Sequence, residues 1–283
     1  MKIKSVLVTG TAGFIGYHVS NFLQSKGFSV IPYDLKEGLD LLDEKKLAKS
    51  LKFADAVCHL AAVGDVYLAA EKPALAQIAG PAATALLCKL SSEIGICKII
   101  YASTWEVYGK VEYQPIDENH PCLPDHPYSI AKYAGELIVR SELSTVPWVI
   151  LRLGTAYGEK MRENAVIPQF IKKAKTEKPI IIQGTGKQKR QFTNVADIAN
   201  AFYLALTKNV NSEIFNITAS ESISIAQLAK LVTNFFPTKI KFNKARIGDV
   251  EPAKVSSQKA QQLLGWRPAI PFKVGFEELI GQF

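Results

Sequence analysis

The sequence predicts an α/β protein: a doubly wound parallel sheet joined to a smaller α/β lobe. Three observations carry this. Short apolar runs alternate with stretches of helical period through the first half of the chain, a glycine-rich turn joins the first run to the first helical stretch, and after Gly158 the alternation gives way to shorter elements. Strands that alternate with helices argue for βαβ units. A parallel sheet is covered on both faces, which accounts for strands that are apolar throughout.

The chain has 283 residues, room for one large domain or two small ones at roughly 100–200 residues each. Hydrophobic residues make up 48% and charged residues 21%, which suits a soluble globular enzyme and excludes disordered, collagen-like and coiled-coil classes. No apolar run approaches the ~20 residues of a membrane helix. Met1-Lys2-Ile3-Lys4 leads straight into a strand-like run without a signal-peptide pattern, so a cytoplasmic protein is expected. The net charge of +8 comes from scattered residues, densest at Lys187-Gln188-Lys189-Arg190. It fits either a solvated surface or a small anionic substrate, and no nucleic-acid motif accompanies it. Cys58, Cys88, Cys97 and Cys122 form no C-x-x-C pair or zinc spacing. They read as thiols in a reducing compartment, with no metal site.

In order, strands are expected at 4–8, 28–33, 56–61, 98–102 and 148–153, with helices at 14–26, 74–94 and 128–143. Beyond Gly158 the pattern gives helices near 166–175, 197–206, 225–235 and 256–264, and strands at 179–182 and 213–217. The expected division is 1–157 plus 192–217 for the larger domain and 158–191 plus 218–283 for the lobe.

The first strand runs into Thr9-Gly10-Thr11-Ala12-Gly13-Phe14-Ile15-Gly16. Gly10 permits the tight turn, Gly13 lets backbone N–H groups approach a pyrophosphate, and Gly16 lets the helix opened by Phe14 and Ile15 pack on the strand. Asp34 ends the next strand, where a carboxylate accepts hydrogen bonds from an adenosine ribose and repels a 2′-phosphate. This points to a Rossmann-type domain holding NAD rather than NADP, although Lys36 beside it would suit NADP. Further on, Tyr128 and Lys132 stand four apart on a predicted helix and share one face. An ammonium near a phenol favours the phenolate, so Lys132 is expected to lower the Tyr128 pKa and make it a usable acid–base. The same spacing also arises from structure alone.

Together these residues resemble the extended short-chain dehydrogenase/reductase family, the NAD-dependent epimerases and dehydratases of nucleotide sugars, over nearly the whole chain. The resemblance implies that Asp40-Leu41 meets the adenine. It places His59-Leu60-Ala61-Ala62 beneath the cofactor, with His59 itself read as a core histidine. Tyr101-Ala102-Ser103-Thr104-Trp105-Glu106-Val107-Tyr108-Gly109 resembles the family's Ser/Thr-x-x-Val-Tyr-Gly segment. That implies a catalytic Thr104 beside Tyr128 and Lys132, with Ser103 a structural neighbour. Trp105 stands where family dehydratases carry an acidic residue, which argues against dehydration. Glu106 matches a glutamate of the uronate decarboxylases and is either substrate-facing or simply a hydrogen-bonding residue.

On the substrate side, Thr155 and Arg162 resemble a uronate-binding pair, with Arg162 otherwise a surface residue. Asn164 resembles the diphosphate segment, and Arg190 and Arg246 the phosphate-binding arginines. Two departures stand out. Asp34 and Asp40 are closer together than is common in the family, and Gly80-Pro81 replaces a usual Asn-Val. The implied activity is a 4-epimerase of a UDP-hexose or UDP-uronate, with a nucleotide-uronate decarboxylase or 4-ketoreductase as alternatives and a non-catalytic NAD-binding regulator as a remote one. Helices near 82–95 and 127–143 imply a homodimer.

Overall fold

A computed structural model describes residues 3–244 and 254–283. Its centre is a six-stranded, all-parallel sheet. The first half runs β1 (Ser5–Thr9), α1 (Phe14–Ser25), β2 (Ser29–Tyr33), α2 (Glu44–Leu51), β3 (Ala56–His59), α3 (Val66–Glu71), α4 (Pro73–Gln77), α5 (Ala83–Ile94), β4 (Lys98–Thr104), α6 (Pro127–Glu142) and β5 (Trp148–Leu153). The second half runs β6 (Thr155–Tyr157), α7 (Val166–Lys175), β7 (Ile180–Gln183), β8 (Lys189–Arg190), β9 (Phe192–Asn194), α8 (Val195–Thr207), β10 (Glu213–Ile217), β11 (Ile223–Ser224), α9 (Ile225–Phe235), β12 (Ile240–Asn243) and α10 (Phe272–Ile280).

The sheet order is β10-β5-β4-β3-β1-β2. The direction of winding reverses between β1 and β3, and ligands of such sheets bind at the carboxyl ends of the strands flanking that point. The short Asp34–Asp40 connection is closed by a 3₁₀ turn, Leu35–Glu37, capped by Asp34. β2 is consequently the edge strand on that side.

Alternation along the strands builds two cores. Val6, Val8, Cys58, Ile100 and Val149 point to one face, where Val19 and Leu23 of α1 and Ile198 and Phe202 of α8 cover them. Leu7, Val57, Ile99 and Ile150 point to the other, beneath Leu47 of α2, Leu87 of α5 and Val139 of α6. A third cluster, with Ile167, Phe170, Ile180, Leu228 and Phe276, forms the smaller lobe. Ala260, Leu264 and Trp266, expected in that lobe, pack in the first core instead. The Trp266 indole donates to the Asp197 carbonyl (2.8 Å), and the Asp197 carboxylate accepts the N–H groups of Ala269 and Ile270, which fastens this stretch to α8.

Two other expectations need correction. The single helix expected at 74–94 is interrupted by a π-helical turn at Ile78–Ala82 that contains Pro81. Proline lacks the N–H an α-helix needs there, and the wider turn absorbs that loss. The run Pro73–Ile94 is also long and apolar enough to match a membrane span, against the reading that no such run exists, but 44% of its 18-residue apolar window is buried inside the protein. Its apolarity serves packing against α6. Helices α2, α3 and α10 and the short strands β6, β8, β9, β11 and β12 were not foreseen.

One buried polar cluster ties α6 to the sheet. Ser103 and Arg152 are register partners on β4 and β5, and both reach Glu136 of α6. Ser103 Oγ donates to Oε1 at 2.5 Å, and the Arg152 guanidinium donates to the two carboxylate oxygens at 3.0 and 2.7 Å. The side chains of Glu136 and Arg152 are 0% and 3% exposed. A charge left unpaired at such depth is costly. Glu136→Gln is therefore expected to lower stability by about 3–5 kcal/mol, read as a reduced urea midpoint.

Candidate active site

The crevice at the winding reversal is shaped by contacts only glycine allows. Gly10 has φ of +77°, and a Cβ on it would lie 3.0 Å from both the Cα and N of Ala61. A Cβ on Gly16 would collide with the Gly10 carbonyl. The turn therefore lies flat between β1 and β3, with Leu60, Ala61 and Ala62 half-buried along its far wall. Helix α1 begins at Gly13 without a side-chain cap, and the Thr11 hydroxyl is buried with no hydrogen-bond partner. A helix start with free N–H groups and an unsatisfied hydroxyl fit a pyrophosphate.

Asp34 closes the same crevice. Its carboxylate accepts the Ala12 N–H and the Lys36 N–H, each at 2.9 Å. It thus holds the glycine turn and keeps a negative charge where the ribose is expected. Asp40 is exposed and accepts the Leu42 N–H, its carbonyl takes the Tyr33 hydroxyl, and Leu41 is buried in the second core.

Behind the crevice runs a directed chain of hydrogen bonds. Thr9 Oγ1 accepts the N–H groups of Leu60 and Ala61, both at 3.0 Å, so its own hydrogen goes to His59 Nδ1 at 2.8 Å. His59 Nε2–H then donates to Thr84 Oγ1 at 3.0 Å, and Thr84 donates to the Gly80 carbonyl at 2.8 Å. Burial, with Lys132 adding to it, pushes His59 down to about 3, so it stays neutral as both acceptor and donor. The chain links the cofactor crevice to the Gly80-Pro81 bend.

Thr104 ends β4 and caps the 3₁₀ turn Trp105–Tyr108, its Oγ1 accepting the Glu106 N–H at 3.2 Å. Tyr128 stands in the first turn of α6, half-buried. Burial pushes its phenol up and the Glu106 charge pushes it further, while a hydrogen bond with Thr104 and the Arg162 charge act in the opposite sense. Lys132 is buried one turn on, donating to the Ala102 carbonyl at 2.8 Å with its ammonium 5.3 Å from the centre of the Tyr101 ring. Burial pushes its pKa down to about 8, against the pull of Glu136. The expectation that Lys132 lowers the Tyr128 pKa is corrected accordingly. Lys132 is directed at a backbone carbonyl, and the groups that favour the phenolate are Thr104 and Arg162.

The substrate-side residues separate. Trp105, Thr155 and Arg190 line one recess together with Thr218 and Val255, and an Arg190 N–H bonds its neighbour's carbonyl at 3.0 Å. Arg162 and Asn164 are drawn elsewhere. Arg162 Nη1 donates to the Gly64 carbonyl (2.7 Å) and pairs with Asp65 (3.0 Å), and Asn164 donates to the same Asp65 oxygen at 2.8 Å. Arg162 is thus engaged by a protein carboxylate and does not stand free to meet one on a sugar. Arg246 lies outside the described residues.

Two residues of the site were missed in the sequence. Asp65 caps α3 through the N–H groups of Tyr67 and Leu68, and the Asp one residue before a helical run was the available signal. His126 caps α6, its Nδ1 accepting the Ser129 N–H at 3.3 Å while Nε2 reaches Glu106 Oε2 at 3.1 Å. Its ring lies parallel to Tyr128, at 5° and 6.1 Å between centres. Histidine is an uncommon cap, so nothing marked it.

The sequence matches the NAD dependent epimerase/dehydratase family over residues 6–218. A Methanocaldococcus jannaschii relative assigned as a UDP-glucose 4-epimerase is 33% identical, over 97% of this chain and 97% of its own. The crystal structure of the Thermotoga maritima UDP-glucose 4-epimerase with UDP-glucose superposes with a TM-score of 0.92 at 27% identity, covering 98% of this chain and 97% of the other. The Bacillus cereus UDP-glucuronic acid 4-epimerase, in complex with UDP-glucuronic acid and NAD, gives 0.88 at 28% identity, covering 98% and 99%. With a Rossmann crevice shaped for a dinucleotide and a Thr–Tyr–Lys set at its edge, this chain belongs to the NAD-dependent epimerase/dehydratase family.

Proposed function

We propose that this protein is an NAD-dependent 4-epimerase of a nucleotide sugar, working through a transient 4-keto sugar. The observation that carries the reading is the place of Tyr128 beside Thr104, which eases loss of the phenol proton, at the carboxyl end of β4, on the side of the sheet where the glycine turn and Asp34 meet. NAD supplies reversible hydride chemistry at C4 when bound. Gly10, Gly13 and the N–H groups of Phe14, Ile15 and Gly16 would hold its pyrophosphate, Asp34 its adenosine ribose, Asp40 and Leu41 its adenine end, and Lys132 its other ribose. Tyr128 takes the proton of the 4-hydroxyl and gives it back after the sugar has turned over. Thr104 steadies that oxygen in both directions, and Arg190, with Arg246, anchors the diphosphate.

Trp105 carries no group able to protonate a leaving hydroxyl, so elimination of water is disfavoured. Because Asp65 engages Arg162, the neutral hexose is favoured over the uronate. The buried thiols Cys58 and Cys88 fit a cytoplasmic, reducing setting. Leu75 and Ile78 at the bend before α5, and Ile130 and Leu137 on α6, are 43–49% exposed, and such a patch fits a symmetric dimer.

Three measurements test this reading. Incubated with UDP-glucose and UDP-glucuronate and followed by NMR, the protein is expected to give the 4-epimer of UDP-glucose faster. Tyr128→Phe should lose at least about 100-fold in turnover while still binding NAD. Carbon dioxide release from the uronate would establish the decarboxylase instead, and a fully active Tyr128→Phe removes Tyr128 from the reaction. In thermal-shift titrations NAD is expected to stabilise more than NADP at equal concentration, and the order should reverse or vanish if Asp34 does not read the ribose. Light scattering is expected to show a dimer that Ile130→Asp/Leu137→Asp converts to monomer; a monomeric wild type refutes the assembly.

A further inference from the structure

Among the groups facing the acid–base, one contact has no place in the scheme above. His126 starts α6, and a serine, asparagine or aspartate would cap that helix at least as well. Its Nδ1 accepts the Ser129 N–H, so the hydrogen of the neutral ring sits on Nε2 and points at Glu106 Oε2, 3.1 Å away. Ser129 returns the favour, its hydroxyl accepting the His126 N–H at 3.3 Å. A shorter capping side chain would keep both contacts with Ser129 and lose the one to Glu106. The imidazole plane also runs parallel to the Tyr128 ring, and both His126 and Glu106 are about 30% exposed, open to the crevice where the sugar is expected.

We propose that His126 is a positioning residue that holds the Glu106 carboxylate beside Tyr128 and, through its own charge, sets the field in which Tyr128 exchanges its proton. This rests on the epimerase reading and adds to it a second titrating group. The groups that face Tyr128 are Glu106 from the turn after β4, Thr104 and Tyr101 from β4, and Arg162 from the loop before α7, which Asp65 pairs. Those that face His126 are Glu106 and Asp125. Glu106 makes the Tyr128 proton harder to remove, Thr104 and Arg162 make it easier, and His126 is the group that titrates against Glu106. The Glu106 hydrogen bond raises the His126 pKa above its ordinary value, partial burial opposes this, and the charges of Glu106 and Asp125 add to the rise. Below that raised value His126 is an imidazolium, the dyad is neutral overall, and Tyr128 releases its proton more readily. As pH rises through it, the dyad becomes a net anion and Tyr128 holds its proton more tightly. The field therefore softens the loss of activity on the acid side.

The test is the pH profile of turnover for the wild type, Glu106→Gln, His126→Asn and the double variant, with asparagine chosen because it keeps the cap. Glu106→Gln is expected to move the acid limb to lower pH by about half a unit or more, the scale of one charge at close range in a partly solvated site. His126→Asn is expected to move it to higher pH, and that movement should disappear in the Glu106→Gln background. A uniform drop in turnover without a shift, or an equal shift in both backgrounds, overturns the proposal. An arm without turnover separates it from the epimerase reading. In NMR the His126 imidazole should titrate above its ordinary value, and Glu106→Gln should lower its midpoint by about half a unit or more. An unmoved midpoint overturns the proposal even in an active epimerase, and a moved midpoint in a protein that epimerises no UDP-sugar refutes only the epimerase reading.

Discussion

The site depends on a carboxylate buried between α6 and the sheet. Glu136 binds Ser103 of β4 and Arg152 of β5 at once, and those two strands are already locked in register there. The helix can therefore occupy one position along the sheet and one rotation about its axis. Tyr128, Lys132 and Glu136 lie on one face of α6, each a turn apart. Fixing the last brings Lys132 to the Ala102 carbonyl and Tyr128 to Thr104. A neutral side chain at position 136 would leave Arg152 without a counter-charge and α6 without its stop.

How far this could be read from the sequence follows from how local each signal was. The glycine turn, Asp34 and the Tyr128–Lys132 spacing are short-range patterns, and each lies where β1, β2 and α6 put it. The alternating cores were legible for the same reason, since apolar runs covered on both faces leave little choice of fold. Glu136 was not legible, because a glutamate in a helix reads as solvent-facing until Arg152 and Ser103 are known to lie beneath it. The π-helical turn at Ile78–Ala82 was half legible. Pro81 announces a disturbance, but its tolerance rests on Thr84, His59 and Thr9, three residues from three elements. The placement of Trp266 on the sheet rather than in the lobe depended on Asp197, equally distant in sequence.

The correction at Lys132 has a similar source. Helical spacing sets which side chains share a face, not which partner each selects. Lys132 has a carbonyl within reach at the end of β4 and takes it, since a buried ammonium requires an acceptor. What then acts on the phenol is the ring of groups around the crevice mouth, drawn from the turn after β4 and from the loop before α7. The Tyr128 phenol is carried by the helix on the central sheet, while part of its electrostatic environment comes from the segment leading into the lobe.

That division gives Asp65 its importance. One of its oxygens caps α3 on the cofactor side, and the other holds Arg162 and Asn164 from the lobe side. A single carboxylate thus joins the two halves across the crevice and moderates the positive charge that favours the Tyr128 phenolate. The contact is partly open to solvent, so its Coulombic contribution to stability is small. Its consequence is geometric: the guanidinium is held near the Tyr128 phenol with its charge largely answered. Around the crevice mouth the charged groups are already engaged, Arg162 by Asp65 and Glu106 by His126, and the Thr104 hydroxyl stands beside the Tyr128 phenol.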